Sequence, residues 1–412
     1  MRKEKIIEME KEYMMHTYAR LPLILKKGKG MYVWDTDGKK YLDMVAGIAV
    51  LSLGHSHQEI VSAISEQVSA IVHTSNLYYT EPQVVLAKIL SDISLGGKVF
   101  FANSGAEANE AAFKIARKYA RMMLGSEEVR RKEKPSYVVI SAMNSFHGRT
   151  LATLAATGQP EKQKMFEPMP AGFKTVAFND AGALESAIDK ETCAVILEAI
   201  QGEGGVIPAD KEYLRNVRAL CDQNDLLFIL DEVQTGVART GSYFAFESYG
   251  IKPDIITLAK GLGGGFPIGA VVASRKVSDI LVPGDHGTTF GGSPIVCRAA
   301  LAVLRTIEKE DLLENARIQG SYLMDRLFEL EQRHTIIKKI RGLGLMIGIV
   351  LGEDVAGELL KTCMGQGAII NKTSENVIRL LPPLIIDKDH VDEFVDIFDR
   401  SLTMIQRNKG KA

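Results

Sequence analysis

The chain alternates two hydrophobic rhythms. From about residue 58 to 300, stretches with apolar positions three and four apart are followed by short runs in which nearly every residue is apolar. The first rhythm belongs to helices that pack by one stripe, the second to strands buried on both faces. Their alternation predicts βαβ units around a mostly parallel sheet, an α/β fold. Residues 58–72 put Ile60, Val61, Ile64, Val68, Ile71 and Val72 on one helical stripe. Strands are expected at 99–101, 137–140, 194–197, 226–230, 255–259 and 269–272, with helices between most of them.

Beyond Arg298 the rhythm changes. Helical patterns at 296–308 and 312–333 lead to a strand-like run at 345–351, a further helical pattern and a terminal helix at 391–406. This reads as a separate α+β lobe. Before residue 55, the runs 31–35 and 37–43, the second opening with Asp37-Gly38, predict a hairpin with an Asp-Gly turn that packs on that lobe. The expected division is an N-terminal segment 1–57, a large domain 58–300 and a small domain 301–412 that packs with the first segment. The charged stretch 125–135 ends in proline and reads as an exposed helix end and loop, its glutamates arguing against a basic binding patch.

Composition narrows the function. The 412 residues are 46% hydrophobic and 25% charged, with a formal net charge of −1 and intermixed signs. Nothing there proposes a nucleic-acid or membrane partner, so small-molecule chemistry is the default. Cys193, Cys221, Cys297 and Cys363 show no ligand spacing, so free core thiols are expected, with no disulfide and no metal. The charged first twenty residues lack the apolar core of a secretory signal, and no run is long enough to span a membrane. A cytoplasmic location is expected.

The chemistry gathers where the apolar runs end. Lys260 closes the run at 255–259 and precedes Gly261-Leu262-Gly263-Gly264-Gly265. Pro267 and the apolar run after it argue against the helix of a dinucleotide site. A buried, unpaired amine tends to lose its proton or form a covalent bond, whereas a lysine at a strand end commonly snorkels to water. The run at 99–102 leads into Asn103-Ser104-Gly105-Ala106 and a helix, a place for a phosphate or simply a Ser or Asn cap. The run ending at Ser141 is followed by Phe146, His147 and Arg149. The run at 194–197 is followed by Glu198 and Glu203 beside glycines. Asp231 ends the run at 226–230, where a carboxylate needs a partner and could pair with a protonated ring nitrogen. One cofactor calls for the whole set. Pyridoxal 5′-phosphate has an aldehyde for Lys260, a pyridinium for Asp231, a ring for Phe146 and a phosphate for Ser104 to Ala106.

The chain resembles the class III, fold-type I aminotransferases over nearly its whole length. The resemblance rests on NSGAEANEAA (103–112), FHGRT (146–150), QGEGGV (201–206), DEVQTGVARTG (231–241), LAKGLGGGFPIGA (258–270) and HGTTFGG (286–292). It implies that Lys260 is the Schiff-base lysine, Asp231 the partner of the ring nitrogen and Gln234 the partner of the phenolic oxygen. Ser104, Gly105 and Ala106 would hold the phosphate, joined by Thr289 from the other subunit of a homodimer, and Phe146 would stack on the ring. Arg149 and Glu198 would form a substrate-side ion pair, with Arg149 a candidate for the donor's α-carboxylate. Arg379 would bind the α-carboxylate of glutamate or 2-oxoglutarate and pair with Glu203 while the donor reacts.

The implied reaction moves the terminal amine of N-acetyl-L-ornithine to 2-oxoglutarate, as in arginine biosynthesis. Ile48, where ornithine-specific members are expected to carry tyrosine, favours the acylated donor. Other ω-transaminases of the family stay open: ornithine, succinyl-diaminopimelate, acylated or carrier-bound lysine, and 4-aminobutyrate. A pyridoxal-phosphate decarboxylase or aminomutase is the alternative of another class.

Overall fold

The computed structural model describes residues 2–123, 135–374 and 376–409. The charged stretch at 125–134 lies outside the described residues. Seventeen short strands are present among the described residues, β1 (Leu25–Lys29), β2 (Tyr32–Asp35), β3 (Lys40–Asp43), β4 (Val99–Ala102), β5 (Val138–Ala142), β6 (Phe173–Val176), β7 (Thr192–Leu197), β8 (Ile200–Gln201), β9 (Ile207–Pro208), β10 (Leu227–Asp231), β11 (Ile255–Leu258), β12 (Gly269–Ala273), β13 (Ile337–Leu343), β14 (Met346–Leu351), β15 (Ala368–Ile369), β16 (Asn371–Ser374) and β17 (Val377–Leu380).

Seven of them build the central sheet in the order β4-β12-β11-β10-β7-β5-β6. All neighbours pair in parallel except β12, which runs antiparallel to both β11 and β4. β4 therefore runs the same way as β11, and the C-terminal ends of β4, β5, β7, β10 and β11 lie along one edge. Open α/β sheets bind their ligands at that edge.

Both faces of the sheet are covered, which explains the unbroken apolar runs. Ala194, Ile196, Leu227, Ile229 and Ile255 face one core with Ala108, Ala112 and Ile115 of the helix Gly105–Met123. The alternate positions Val195, Leu197, Phe228, Leu230 and Ile256 join the other core with Leu214 and Val217 of the helix Lys211–Gln223. At about 1.5–3 kcal/mol per fully buried large side chain, this double layer supplies the rigidity that fixes the strand ends. Cys193, Cys221, Cys297 and Cys363 are buried free thiols.

β13, β14, β17 and β16 form an antiparallel sheet in that order. The Asp37-Gly38 hairpin forms between β2 and β3, with Asp35 accepting the backbone N–H groups of Asp37 and Lys39, each at 2.9 Å. β15 then adds in parallel to β3, so the chain's two ends share one sheet.

Several strands escape the hydrophobic pattern, three of them by their polarity or exposure. β1 and β16 are largely polar, and β6 has one buried position in four. The helix Gln58–Ala70 departs from its expected packing. Ile60 is buried, but Val61, Val68, Ile71 and Val72 are exposed and continue into exposed Leu77, Tyr78 and Tyr79.

Candidate active site

A cavity of about 470 Å³ opens at the edge where the strands end. It is lined by Ser104, Gly105 and Ala106 after β4, Phe146 and Arg149 after β5, Glu198 and Glu203 after β7, Asp231 and Gln234 after β10, and Lys260 after β11. Ten residues singled out from five separated stretches of sequence thus meet in one pocket of ligand size.

Lys260 opens a short 3₁₀ turn, Lys260–Gly263, with φ +36°. A left-handed backbone at a non-glycine residue is strained and persists only where its surroundings impose it. Burial, together with the nearby Arg379 charge, pushes the amine below its ordinary lysine value against the opposing pull of Glu203, Asp231 and Glu198. The shift favours the neutral, nucleophilic form of the amine.

Asp231 is 4% exposed and fully engaged. Its Oδ1 accepts the Val233 backbone N–H at 3.0 Å, and its Oδ2 accepts Asn109 Nδ2 at 2.9 Å and pairs with His147 Nδ1 at 2.8 Å. Asn109 in turn accepts the Thr257 hydroxyl at 2.8 Å, from the residue beside Asp231 across the β10–β11 ladder. Asn109, in the segment that follows the run at 99–102, and His147, beside Phe146, had no assigned part in the site from sequence. The signal for both was polarity at positions that the helix and the loop bury.

The turn after β4 forms the expected cap. Ser104 Oγ accepts the Glu107 backbone N–H at 3.2 Å, and Glu107 answers by accepting the Asn103 N–H at 2.6 Å, a reciprocal cap. Gly105 and Ala106 open the helix, and first-turn N–H groups have no partner within it. They line the cavity and present the positive end of the helix dipole there.

Glu198 and Arg149 do not form the expected ion pair. Glu198 is buried and accepts the backbone N–H groups of Phe146 at 3.0 Å and Gly202 at 3.2 Å. Burial pushes its carboxyl up to about 7, with His147 opposing and Asp231 assisting. Arg149 is exposed and lies over the Phe146 ring, 5.6 Å from its centroid, with Lys162 over the same ring at 5.2 Å. Backbone donors reach Glu198 first, and the longer guanidinium turns to the aromatic face.

Arg379 stands behind the cavity wall, 1% exposed, and meets Glu203 Oε1 at 2.6 Å. Burial works against the charge on Glu203, but Arg379, Lys260 and Lys162 hold its carboxyl below the usual range. Arg379 also donates to Gln234 Oε1 at 3.2 Å. Thr289 is exposed and does not line this chain's own pocket, and Val50, not Ile48, lines the cavity.

The model of the family described as aminotransferase class-III matches residues 13–402. The chain belongs to the class-III aminotransferase family. It is similar to an acetylornithine aminotransferase of Caldanaerobacter subterraneus subsp. tengcongensis, with 51% identity over 97% of this chain and all of that one. Among solved structures it is similar to the ornithine aminotransferase of Toxoplasma gondii, with TM-score 0.93 and 33% identity over 99% of this chain and 96% of that one. It is likewise similar to the acetylornithine aminotransferase of Elizabethkingia anophelis, with TM-score 0.86 and 34% identity over 98% of this chain and all of that one.

The class-III aminotransferase is thus a pyridoxal-phosphate enzyme, and its cavity fits the cofactor. An amine of lowered basicity, a buried carboxylate and free first-turn N–H groups converge on one ligand-sized space beside an aromatic ring. That donor set matches an aldehyde, a pyridinium, a phosphate and a flat ring.

Proposed function

We propose that this enzyme transfers the terminal amine of N-acetyl-L-ornithine to 2-oxoglutarate, giving N-acetylglutamate 5-semialdehyde and L-glutamate. Pyridoxal phosphate, when bound, supplies an electron sink for the bond broken at the amine-bearing carbon. Asp231, oriented by His147 and Asn109, would keep the ring nitrogen protonated. Gln234 Oε1 is taken by Arg379, so its Nε2 is the donor left for the phenolic oxygen. Gly105 and Ala106 would offer backbone N–H groups to the phosphate beside Ser104, and Phe146 would cover the ring. Lys260 Nζ, enclosed and of lowered basicity, would carry the proton from the donor's amine-bearing carbon.

The observation that carries the reading is that Glu203, on the wall of the cavity that holds Lys260, is closed onto Arg379 behind that wall. With Glu203 on Arg379 the guanidinium is neutralised, and the uncharged chain of an ω-amino donor meets no free cation there. With Glu203 turned away, Arg379 grips the α-carboxylate of 2-oxoglutarate or glutamate. One cavity then serves two substrates of different shape. Arg149 would take the donor's carboxylate. It and Lys162 bring two positive charges to the Phe146 edge, and acylation removes the ammonium that free ornithine would set against them. Val50, Phe266, Pro267 and Ile268 add apolar wall for the acyl group.

The working unit in this reading is a homodimer. The exposed row from Val61 to Val72 and the exposed Leu77, Tyr78, Tyr79 and Phe290 form an apolar surface of the kind that a second copy covers. Asn76 ties this surface to the segment bearing Thr289 by donating to Thr288 O at 3.2 Å and Gly291 O at 3.1 Å. Thr289 would then reach the neighbouring subunit's phosphate site. The division at 57/58 and 300/301 belongs to the same proposal and rests on β15 joining the N-terminal sheet. No described helix is long and apolar enough to cross a membrane.

A donor panel with 2-oxoglutarate tests the reading. N-acetylornithine is expected to give the highest kcat/KM against ornithine, N-acetyllysine, succinyl-diaminopimelate and 4-aminobutyrate. A higher value for ornithine or 4-aminobutyrate would overturn it.

A further inference from the structure

Glu203 is one of three side chains that hold Arg379. Arg379 lies in β17 between two neighbours, with Gly348 of β14 opposite it on one side and Asn371 of β16 on the other. Asn371 Oδ1 accepts two bonds from it, from Nη2 at 2.8 Å and from Nε at 3.2 Å. Gln234 Oε1 accepts from Nη1, the nitrogen that also meets Glu203.

The bare glycine at 348 sets the other half of the arrangement. A Cβ there would sit 2.8 Å from Val206 Cβ and 3.1 Å from the Gly205 carbonyl oxygen, so only glycine lets the loop carrying Glu203 come this close. Arg341 pins the same loop by donating to Gly205 O at 2.8 and 3.2 Å. At its other end, a Cβ on Gly202 would meet Gln234 Oε1 at 2.2 Å, so that glycine leaves the space in which the amide lies. The loop's stem is fixed while the Glu203 side chain remains about a quarter exposed.

The acceptors that share Arg379 with Glu203 are both neutral amides. A buried guanidinium held by Glu203 alone would lose its partner whenever Glu203 left, and an unpaired buried charge is the costliest state such a group can adopt. Two amides remove that cost without cancelling the charge, so the cation stays available to an incoming carboxylate. An acid in either place would satisfy the geometry and neutralise the arginine permanently.

We propose that Asn371, assisted by Gln234, is a positioning residue that holds Arg379 still and charged while Glu203 leaves, so that the enzyme swaps anions on a stationary cation. The inference rests on the two-role reading of Arg379 given above.

The test uses the holoenzyme and single-turnover assays of each half-reaction, with N-acetylornithine for one and 2-oxoglutarate for the other. Asn371→Asp is expected to raise the KM for 2-oxoglutarate by about 10–100-fold, the scale of a charge-assisted contact, with the donor half-reaction within about twofold of wild type. Acidification should restore part of the loss by protonating the new carboxyl. Asn371→Ala should give a smaller rise, about 10-fold, with no such recovery at low pH. A purely structural role for Asn371 predicts equal losses in both half-reactions and no difference between the two variants, and that result overturns the inference. So does an unchanged KM in both. Arg379→Ala is the control for the underlying reading. If it spares the keto-acid half-reaction, the two-role reading fails; if it impairs that half while Asn371→Asp does not, only the present inference fails. Thermal unfolding of each variant separates folding defects, and Asn371→Ser supplies a second acceptor should Asp fail to fold.

Discussion

Two buried charges flank Lys260, and they are held in opposite ways. Asp231 ends a strand in the middle of a seven-stranded sheet, with three donors on its two oxygens, one from its own turn, one from the helix Gly105–Met123 and one from the loop after β5. Arg379 sits on a short strand of the antiparallel sheet, and its charged partner reaches it from a loop between two-residue strands. The first arrangement offers no alternative partner. The second holds the cation with neutral groups and leaves the anion able to withdraw. A site that must keep one charge constant and present the other to alternating substrates places the first in the rigid layer and the second against a loop.

This contrast can be broken from either side. The largest expected effect is on the residue between the two walls: Lys260→Ala should lower turnover by at least about 10³-fold and abolish borohydride-fixed cofactor attachment seen by mass spectrometry. Turnover near wild type would remove it from the mechanism. Next, Asp231→Ala should reduce both half-reactions together by about 10²–10³-fold, because the cofactor-side charge serves both substrates. Arg379→Ala should divide them, with kcat/KM for 2-oxoglutarate falling about 10²-fold and the donor half-reaction little changed, as a lost charge-assisted bidentate contact predicts. Equal losses would erase the distinction between the walls. Asn109→Ala should cost about 1–3 kcal/mol of stability by stripping partners from Asp231 and Thr257, measurable by urea unfolding, with activity down about 10-fold.

The smallest effect is on pH dependence. Burial raises both Glu198 and Glu232 to about 7, above the unfolded carboxyl range. A raised acid contributes stability that is fully present below its unfolded pKa and lost as pH climbs through the folded one. The unfolding free energy contributed by this pair should therefore decline between about pH 4.5 and 7, and Glu198→Gln should flatten part of the slope. An unchanged slope in that variant would show that Glu198 stays ionised in the folded protein.

Much of the cofactor wall was legible before the structure. Each strand that ends at the cavity was apolar enough to be found, and the residue following it was then placed by the geometry of a parallel sheet, so Lys260, Asp231, Phe146 and the Ser104–Ala106 turn converge as expected. The arginine wall was less legible. Arg379 was picked out through resemblance alone, and Glu203, visible beside its glycines, gained a role only as the partner of that arginine 176 residues away. Asn371 carried no signal at all, since it stands on a polar strand and matters only because the β16–β17 register sets it opposite Arg379. The expected Arg149–Glu198 pair failed because sequence proximity to one cavity does not say which donor reaches a carboxylate first.

The amino-acid sequence by itself determined the alternating strands and helices, the reactive edge and the family of chemistry, because hydrophobic period and strand-end position are local properties that burial then enforces. Tertiary structure alone decided which charges are locked and which are exchangeable. That depends on how many neutral and charged partners surround a group in three dimensions, and those partners come from turns, glycine gaps and cross-strand registers that no single stretch of chain contains.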